Sequence, residues 1–205
     1  MTRLPLLALL VGCAPAPGPT NPEAQSGDAP VAEEQEAPPS AGDPGEPVPA
    51  KNEEPPPTSA DDGPAILAAH NRFRARHCAP PLTWSKELVA VSGKWARNLA
   101  AHHCAFDHNP DPHYGENLAY FRPPGALSQE QVAEEWYREI EHYNFKRPGF
   151  SMEAGHFTQL VWVGTRHIGC SSVECGGGEL WVCNYDPPGN MEGDYDRNVL
   201  REGCK

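Results

Sequence analysis

Positive charge is scarce in this 205-residue chain: 16 Lys and Arg stand against 28 Asp and Glu, a formal net charge of -12. Nothing in it is strongly basic, so there is no footprint for neutralising phosphates and nucleic acid is excluded as a partner. Long apolar runs are absent too. The N-terminal run Leu4 to Val11 is too short to remain as a membrane-spanning helix. There is no H-E-x-x-H helix, no paired C-x-x-C repeat, no Ser or Thr in a recognisable triad context and no internal repeat. The sequence marks of a helix-borne zinc protease, a zinc cluster and a serine hydrolase are therefore missing. Residues 14–64 lack Phe, Trp and Tyr altogether, carry Lys51 against eleven Asp and Glu, and hold fourteen of the 24 prolines. Such a segment cannot bury enough apolar surface to offset the entropy of ordering it. It reads as a disordered Pro/Glu-rich acidic spacer whose role is reach.

The first thirteen residues place the compartment. Arg3 precedes the apolar run, which ends Leu10-Val11-Gly12-Cys13. This looks like a bacterial lipobox, and residues 1–13 read as a lipoprotein-type signal peptide that leaves Cys13 lipidated at the new N-terminus. The expected partner is a membrane, through that anchor, and the expected location is the cell envelope or the extracellular space. Ala14 gives no retention signal of the kind an Asp would, so an outer membrane is favoured. Six further cysteines, Cys78, Cys104, Cys170, Cys175, Cys183 and Cys204, form an even set in an exported domain and read as a disulfide framework. Spacing alone leaves their pairing open.

Residues 65–205 hold all five Trp and all six Tyr, with 14 Lys and Arg against 17 Asp and Glu. That is the size of one ordinary domain. Pro64 suits a helix start, and Ile66, Leu67, His70, Phe73 and Arg74 recur at helical intervals until Cys78-Ala79-Pro80-Pro81. Ser85 is the N-cap of a second helix, with Leu88, Val91, Trp95 and Leu99 on one stripe. Residues 102–115 form a long loop rich in His, Asn, Asp, Pro and Gly. Ser128 and Gln131 make a capping box for a third helix, whose stripe is Val132, Trp136, Ile140 and Tyr143 and whose edge carries Glu139. Beyond Pro148-Gly149 the period becomes extended. Strands are predicted over Phe157 to Val163, Ile168 to Val173 and Leu180 to Tyr185, the last two joined by a glycine-rich hairpin at Cys175-Gly176-Gly177-Gly178. Helices followed by antiparallel strands indicate an α+β fold.

Four titratable residues stand out: His108 in the long loop, Glu116 after Gly115, Glu139 on the third helix, and His156 within Gly155-His156-Phe157-Thr158. Imidazoles ligate metals and titrate near neutrality, and a carboxylate can orient an imidazole through its N–H. Glu116 and Glu139 are also the candidate general bases. Spacing does not bring the four together. It leaves open that they are buried polar residues satisfying one another, and Ser151 and Thr158 read as structural.

The segment 155–165 (GHFTQLVWVGT) resembles the first signature of the CAP superfamily, which includes cysteine-rich secretory proteins, antigen 5 and plant pathogenesis-related group 1 proteins. Segment 182–190 (VCNYDPPGN) resembles the second. His70-Asn71 with Arg74, Tyr114-Gly115-Glu116-Asn117-Leu118, and Trp136-Tyr137-Arg138-Glu139-Ile140 with Tyr143-Asn144-Phe145 also match, in family order, over about 65–191. The resemblance implies a three-layer α-β-α sandwich with a mainly antiparallel central sheet. It implies one cleft lined by His108, Glu116, Glu139 and His156, with a divalent ion such as zinc weakly held on His108 and His156. His102, His103 and His113 crowd the same loop, and Asn109 follows His108 where the family usually has Ser. The family pattern also pairs Cys104 with Cys175 and Cys170 with Cys183, leaving Cys78 with Cys204. The expected function is a tethered binding module for a lipid, sterol, glycan or peptide. The alternative is a zinc-dependent peptidase or esterase working from the same cleft, and a third is an adhesive envelope protein whose cleft is idle.

Overall fold

Helices begin where the sequence supplies a start signal. A computed structural model describes residues 64–110 and 113–204; the signal peptide, Cys13 and residues 14–63 of the spacer lie outside the described residues. α1 (Ala65–Arg76) follows Pro64 and turns Ile66, Ala69, His70, Phe73 and Arg74 inward. It ends as Cys78 takes a left-handed conformation (φ 51°) ahead of two prolines. β1 (Thr83–Trp84) leads into α2 (Lys86–Ala101), where the Ser85 hydroxyl accepts from the Leu88 N–H. β2 (Gly115–Phe121) follows the loop. α3 (Gln129–Arg138) carries the full Ser128/Gln131 capping box. It stops earlier than its apolar stripe suggests: Glu139–His142 tighten into a 3₁₀ turn and Tyr143 is extended.

The segment predicted as a strand over Phe157 to Val163 is instead a helix, α4 (Gly155–Val161), so His156 opens a helix and not a strand. All seven of its residues are buried. A short run apolar on every side has no period with which to separate strand from helix. β3 (His167–Cys175), β4 (Gly178–Asp186) and the short α5 (Tyr195–Asn198) complete the chain.

The sheet order is β1-β3-β4-β2, with β1 parallel to β3 and the other pairs antiparallel. Residues alternate between its faces. Leu118, Tyr120, Leu180 and Val182 meet Ala96 and Leu99 of α2 on one side. Ala119, Phe121, Trp181 and Tyr185 meet α1, α3 and α4 on the other, around Trp136 and Phe157. That is the three-layer α-β-α sandwich. α2 lies very close to β3 because residue 169 has no side chain: a Cβ on Gly169 would sit 2.6 Å from backbone and side-chain carbons of Leu88. Gly169→Ala is therefore expected to cost about 1–3 kcal/mol, read as a lower urea midpoint with the slope retained.

Disulfides join Cys78 to Cys204, Cys104 to Cys175 and Cys170 to Cys183. The first closes 126 residues of sequence and ties the C-terminal segment to the end of α1, where the Gly203 N–H also donates to the Arg76 carbonyl.

Candidate functional site

α4 has no side-chain cap of its own, because its N-cap residue is Ala154. Glu139 supplies the cap from the 3₁₀ turn. Its Oε2 accepts from the His156 and Phe157 N–H groups at 2.9 and 3.2 Å, two of the donors a helix start leaves open. Its Oε1 lies 2.6 Å from His156 Nδ1. A carboxylate offers only acceptors here, so Nδ1 donates to it. His156 Nε2 has no hydrogen-bond partner among the described residues, and the ring is fully buried, stacked on Trp136 with centroids 6.0 Å apart. A buried nitrogen left unpaired is the unusual feature of the site.

The loop imidazole forms a second pair. His108 Nδ1 lies 2.8 Å from Glu116 Oε1, which also accepts the Asn109 N–H at 3.0 Å. Asn109 thus joins the pair through its backbone. Of the loop's other histidines, His102 hydrogen-bonds the Asn98 carbonyl and is exposed, as are His103 and His113. Glu116 is paired in register with Asn184, whose amide reaches Glu116 Oε2 at 3.4 Å.

The four residues form two carboxylate–imidazole pairs, Glu139 with His156 and Glu116 with His108. Alternation along β2 turns Glu116 to the face of Leu118 and Tyr120, and Asn117 to the opposite face. From there Asn117 Nδ2 donates to the His156 carbonyl at 3.2 Å and to the Tyr185 hydroxyl at 3.1 Å. His156 is thus tied through its carbonyl to the residue after Glu116, on the opposite face of β2 from the Glu116 side chain. Among the described residues, no group of three or more His, Cys, Asp or Glu is placed to hold a metal ion.

Asn117, Tyr185 and Gln159 are the residues that motif reasoning left without a role. Tyr185 donates to His70 Nε2 at 2.9 Å, since His70 gives its own Nδ1 hydrogen to the Ile66 carbonyl at 2.7 Å. Gln159 is held between two glycines: its Oε1 accepts the Gly189 N–H at 2.9 Å, and a Cβ on Gly115 would lie 2.9 Å from its Cδ. The available signals were the GENL stretch for Asn117, the VCNYDPPGN stretch for Tyr185 and the GHFTQLVWVGT stretch for Gln159. Hydroxyls near His156 are engaged elsewhere. Thr158 Oγ1 donates to Asn190 Oδ1 at 2.6 Å, and Ser151 Oγ accepts the Glu153 N–H. Pro187 accepts from Thr165 Oγ1 through its carbonyl, fixing the turn after β4.

Residues 67–185 match the family described as the cysteine-rich secretory protein family, CAP. The human Golgi-associated plant pathogenesis-related protein 1 is 36% identical over 143 residues, 66% of this chain and 90% of its own length. Among solved structures, venom allergen-like protein 4 of Schistosoma mansoni superposes with a TM-score of 0.53 at 28% identity, covering 68% of this chain and 96% of that one. A structure titled NaASP2 with Zn²⁺ shares the fold at 22% identity and a TM-score of 0.53, over 68% of this chain and 84% of its own. With more than half of its length matched, the chain belongs to the cysteine-rich secretory protein (CAP) family, in a form like the pathogenesis-related proteins.

Proposed function

We propose that this chain is an exported, envelope-tethered binding module that presents the cleft of His108, Glu116, Glu139 and His156 to a lipid, sterol, glycan or peptide. The observation that carries the reading is the buried, unpartnered Nε2 of His156. Glu139 fixes that ring's aim through Nδ1, so Nε2 is the ring atom left for a ligand. Three disulfides support export. Attachment to a membrane through Cys13, by way of the acidic spacer, belongs to the same proposal. No helix of the described residues is long and apolar enough to cross a membrane.

Each imidazole, backed by its carboxylate, is a donor suited to a divalent cation such as zinc, and one ion shared by His156 and His108 is part of this proposal. Two imidazoles hold such an ion weakly and leave positions open. When bound, the ion supplies a Lewis-acidic point for an oxygen of the ligand. The zinc-dependent peptidase or esterase reading needs one carboxylate to act as base. Glu139 is already committed to two backbone N–H groups and an imidazole. Binding without turnover is the better supported reading.

The full chain, stripped with a chelator and titrated with ZnCl₂, is expected to bind one ion, and His156→Ala or His108→Ala to weaken it about 10–100-fold. Zinc affinity unchanged in both variants would remove the two histidines from the site. Zinc-dependent turnover of an ester or peptide pool, lost in the double variant, would replace the binding reading with the hydrolase.

A further inference from the structure

A second cavity, of about 240 Å³, lies at the other end of β2, lined by His103, Cys104, Phe106, Tyr120, Arg122 and Gly176. Three residues of strand stand between Glu116 and Tyr120, a rise of about 13 Å, so it is distinct from the His/Glu pairs. Phe106, Tyr120 and Cys104 give it apolar and aromatic surface, and the His103 imidazole and the Arg122 guanidinium are its polar side chains. Arg122 is fixed from two sides: Nε donates to the Tyr120 hydroxyl at 3.0 Å and Nη2 to the Gly176 carbonyl at 2.6 Å. The guanidinium also sits 5.4 Å over the Tyr120 ring. Tyr120 is oriented in turn by donating to the Cys175 carbonyl at 3.0 Å. No carboxylate pairs with Arg122 among the described residues, and Nη1 makes no hydrogen bond there. The neighbouring acid Glu179 accepts the Gly125 N–H instead.

Residue 176 is a glycine in a left-handed conformation (φ 55°), and a side chain there would crowd the cavity's own groups: a Cβ would lie 3.0 Å from Cys104 Sγ, 3.3 Å from the Tyr120 hydroxyl and 3.6 Å from Arg122 Nη2. The wall opposite is formed by His103 and Cys104, consecutive residues at φ 61° and 57°, a conformation that side chains with a Cβ rarely adopt. The Cys104–Cys175 disulfide and the bond from Ala105 N–H to the His102 carbonyl hold them in it.

We propose that this cavity binds a small aromatic carboxylate, its anion on the free edge of Arg122 and its ring against Phe106 and Tyr120. A fixed guanidinium reads a carboxylate through parallel N–H groups, while the aromatic walls select for an apolar body over a bare ion. The volume admits a ligand of about ten heavy atoms, for which a Kd on the order of 1 mM is expected.

The test is an NMR titration of the full chain with benzoate, with benzyl alcohol and acetate as comparators. Benzoate is expected to shift the resonances of Phe106, Tyr120 and Gly176. Arg122→Gln, at an exposed position, is expected to weaken it about tenfold or more, and His156→Ala to leave it unchanged. The last result separates this cavity from the His/Glu site. Equal binding of benzyl alcohol would overturn the role of the charge, and equal binding of acetate the role of the ring. Absence of shifts at the three residues, or an unchanged Kd in Arg122→Gln, would overturn the site.

Discussion

Arg74→Met is expected to destabilise the domain by about 3–5 kcal/mol, more than any other single change on the inward face of α1. Arg74 is fully buried, with no carboxylate among the described residues bonded to it. Burial pulls its pKa down to about 10, and it remains a cation at neutral pH. Backbone carbonyls replace the missing counter-ion. Nε donates to the Pro80 carbonyl at 2.9 Å, Nη1 to those of Leu160 and Trp162 at 2.9 and 2.8 Å, and Nη2 to that of Thr165 at 3.0 Å. Leu160 and Trp162 lie at the C-terminal end of α4, where carbonyls are orphaned and the helix dipole is negative. One guanidinium therefore completes the end of the helix whose start Glu139 completes. Met fills a similar volume but removes the donor to all four carbonyls. Of these, Trp162 keeps the Thr165 N–H and Thr165 keeps Arg166 Nη1, while the buried Leu160 carbonyl loses its guanidinium partner. Arg74→Lys keeps the charge but not the planar fork, and is expected to recover only part of the loss. Urea unfolding of the three proteins is the measurement. A loss below about 1 kcal/mol for Arg74→Met would mean that α4 is held by packing alone.

Acid is expected to weaken the fold through His70 before most carboxylates titrate. Burial of this ring lowers its pKa from 6.5 to about 4, its bond to the Ile66 carbonyl opposing that shift and Arg74 adding to it. A depressed folded-state pKa means that the native state favours the neutral ring. The stabilisation is therefore complete above pH 6.5, declines as pH falls toward 4 and levels off below it. A shift of that size corresponds to about 3 kcal/mol. The geometry agrees, because Nε2 must accept the Tyr185 hydroxyl hydrogen and has no room for a proton of its own. His77, also depressed by burial, acts in the same direction. Unfolding free energies between pH 7 and 4 are expected to fall for the wild type and to fall less steeply for His70→Gln. An unchanged slope in the variant would assign the acid sensitivity to other groups. Through Tyr185 and Asn117, the same ring is linked to the His156 carbonyl.

The two seven-residue elements that position the site show the limit of reading residues alone. β2 is buried along its whole length, since α2 covers one face and α1, α3 and α4 the other. It has no apolar–polar alternation to mark it as a strand. α4 is buried all round, and a short run apolar on every side reads as a strand for the converse reason. The premature end of α3 was equally hidden. Its apolar stripe continues to Tyr143, but the turn tightens at Glu139, whose carboxylate is drawn to the open N–H groups of α4.

Capping residues, helical spacing, the Gly-rich hairpin and the even cysteine count are local or compositional, and these were enough to give α1, α2, the start of α3, the β3–β4 pair and the α+β class. The family motifs added which histidines and glutamates to watch. What the chain could not state for itself was their grouping: Glu139 serving both as helix cap and as partner to His156, Glu116 turned to the other face of β2, Arg74 serving a helix some 86 residues away. Such pairings depend on which faces the layers bury together. An orphaned donor or acceptor finds its partner in space, and nothing in the local sequence records how far along the chain that partner lies.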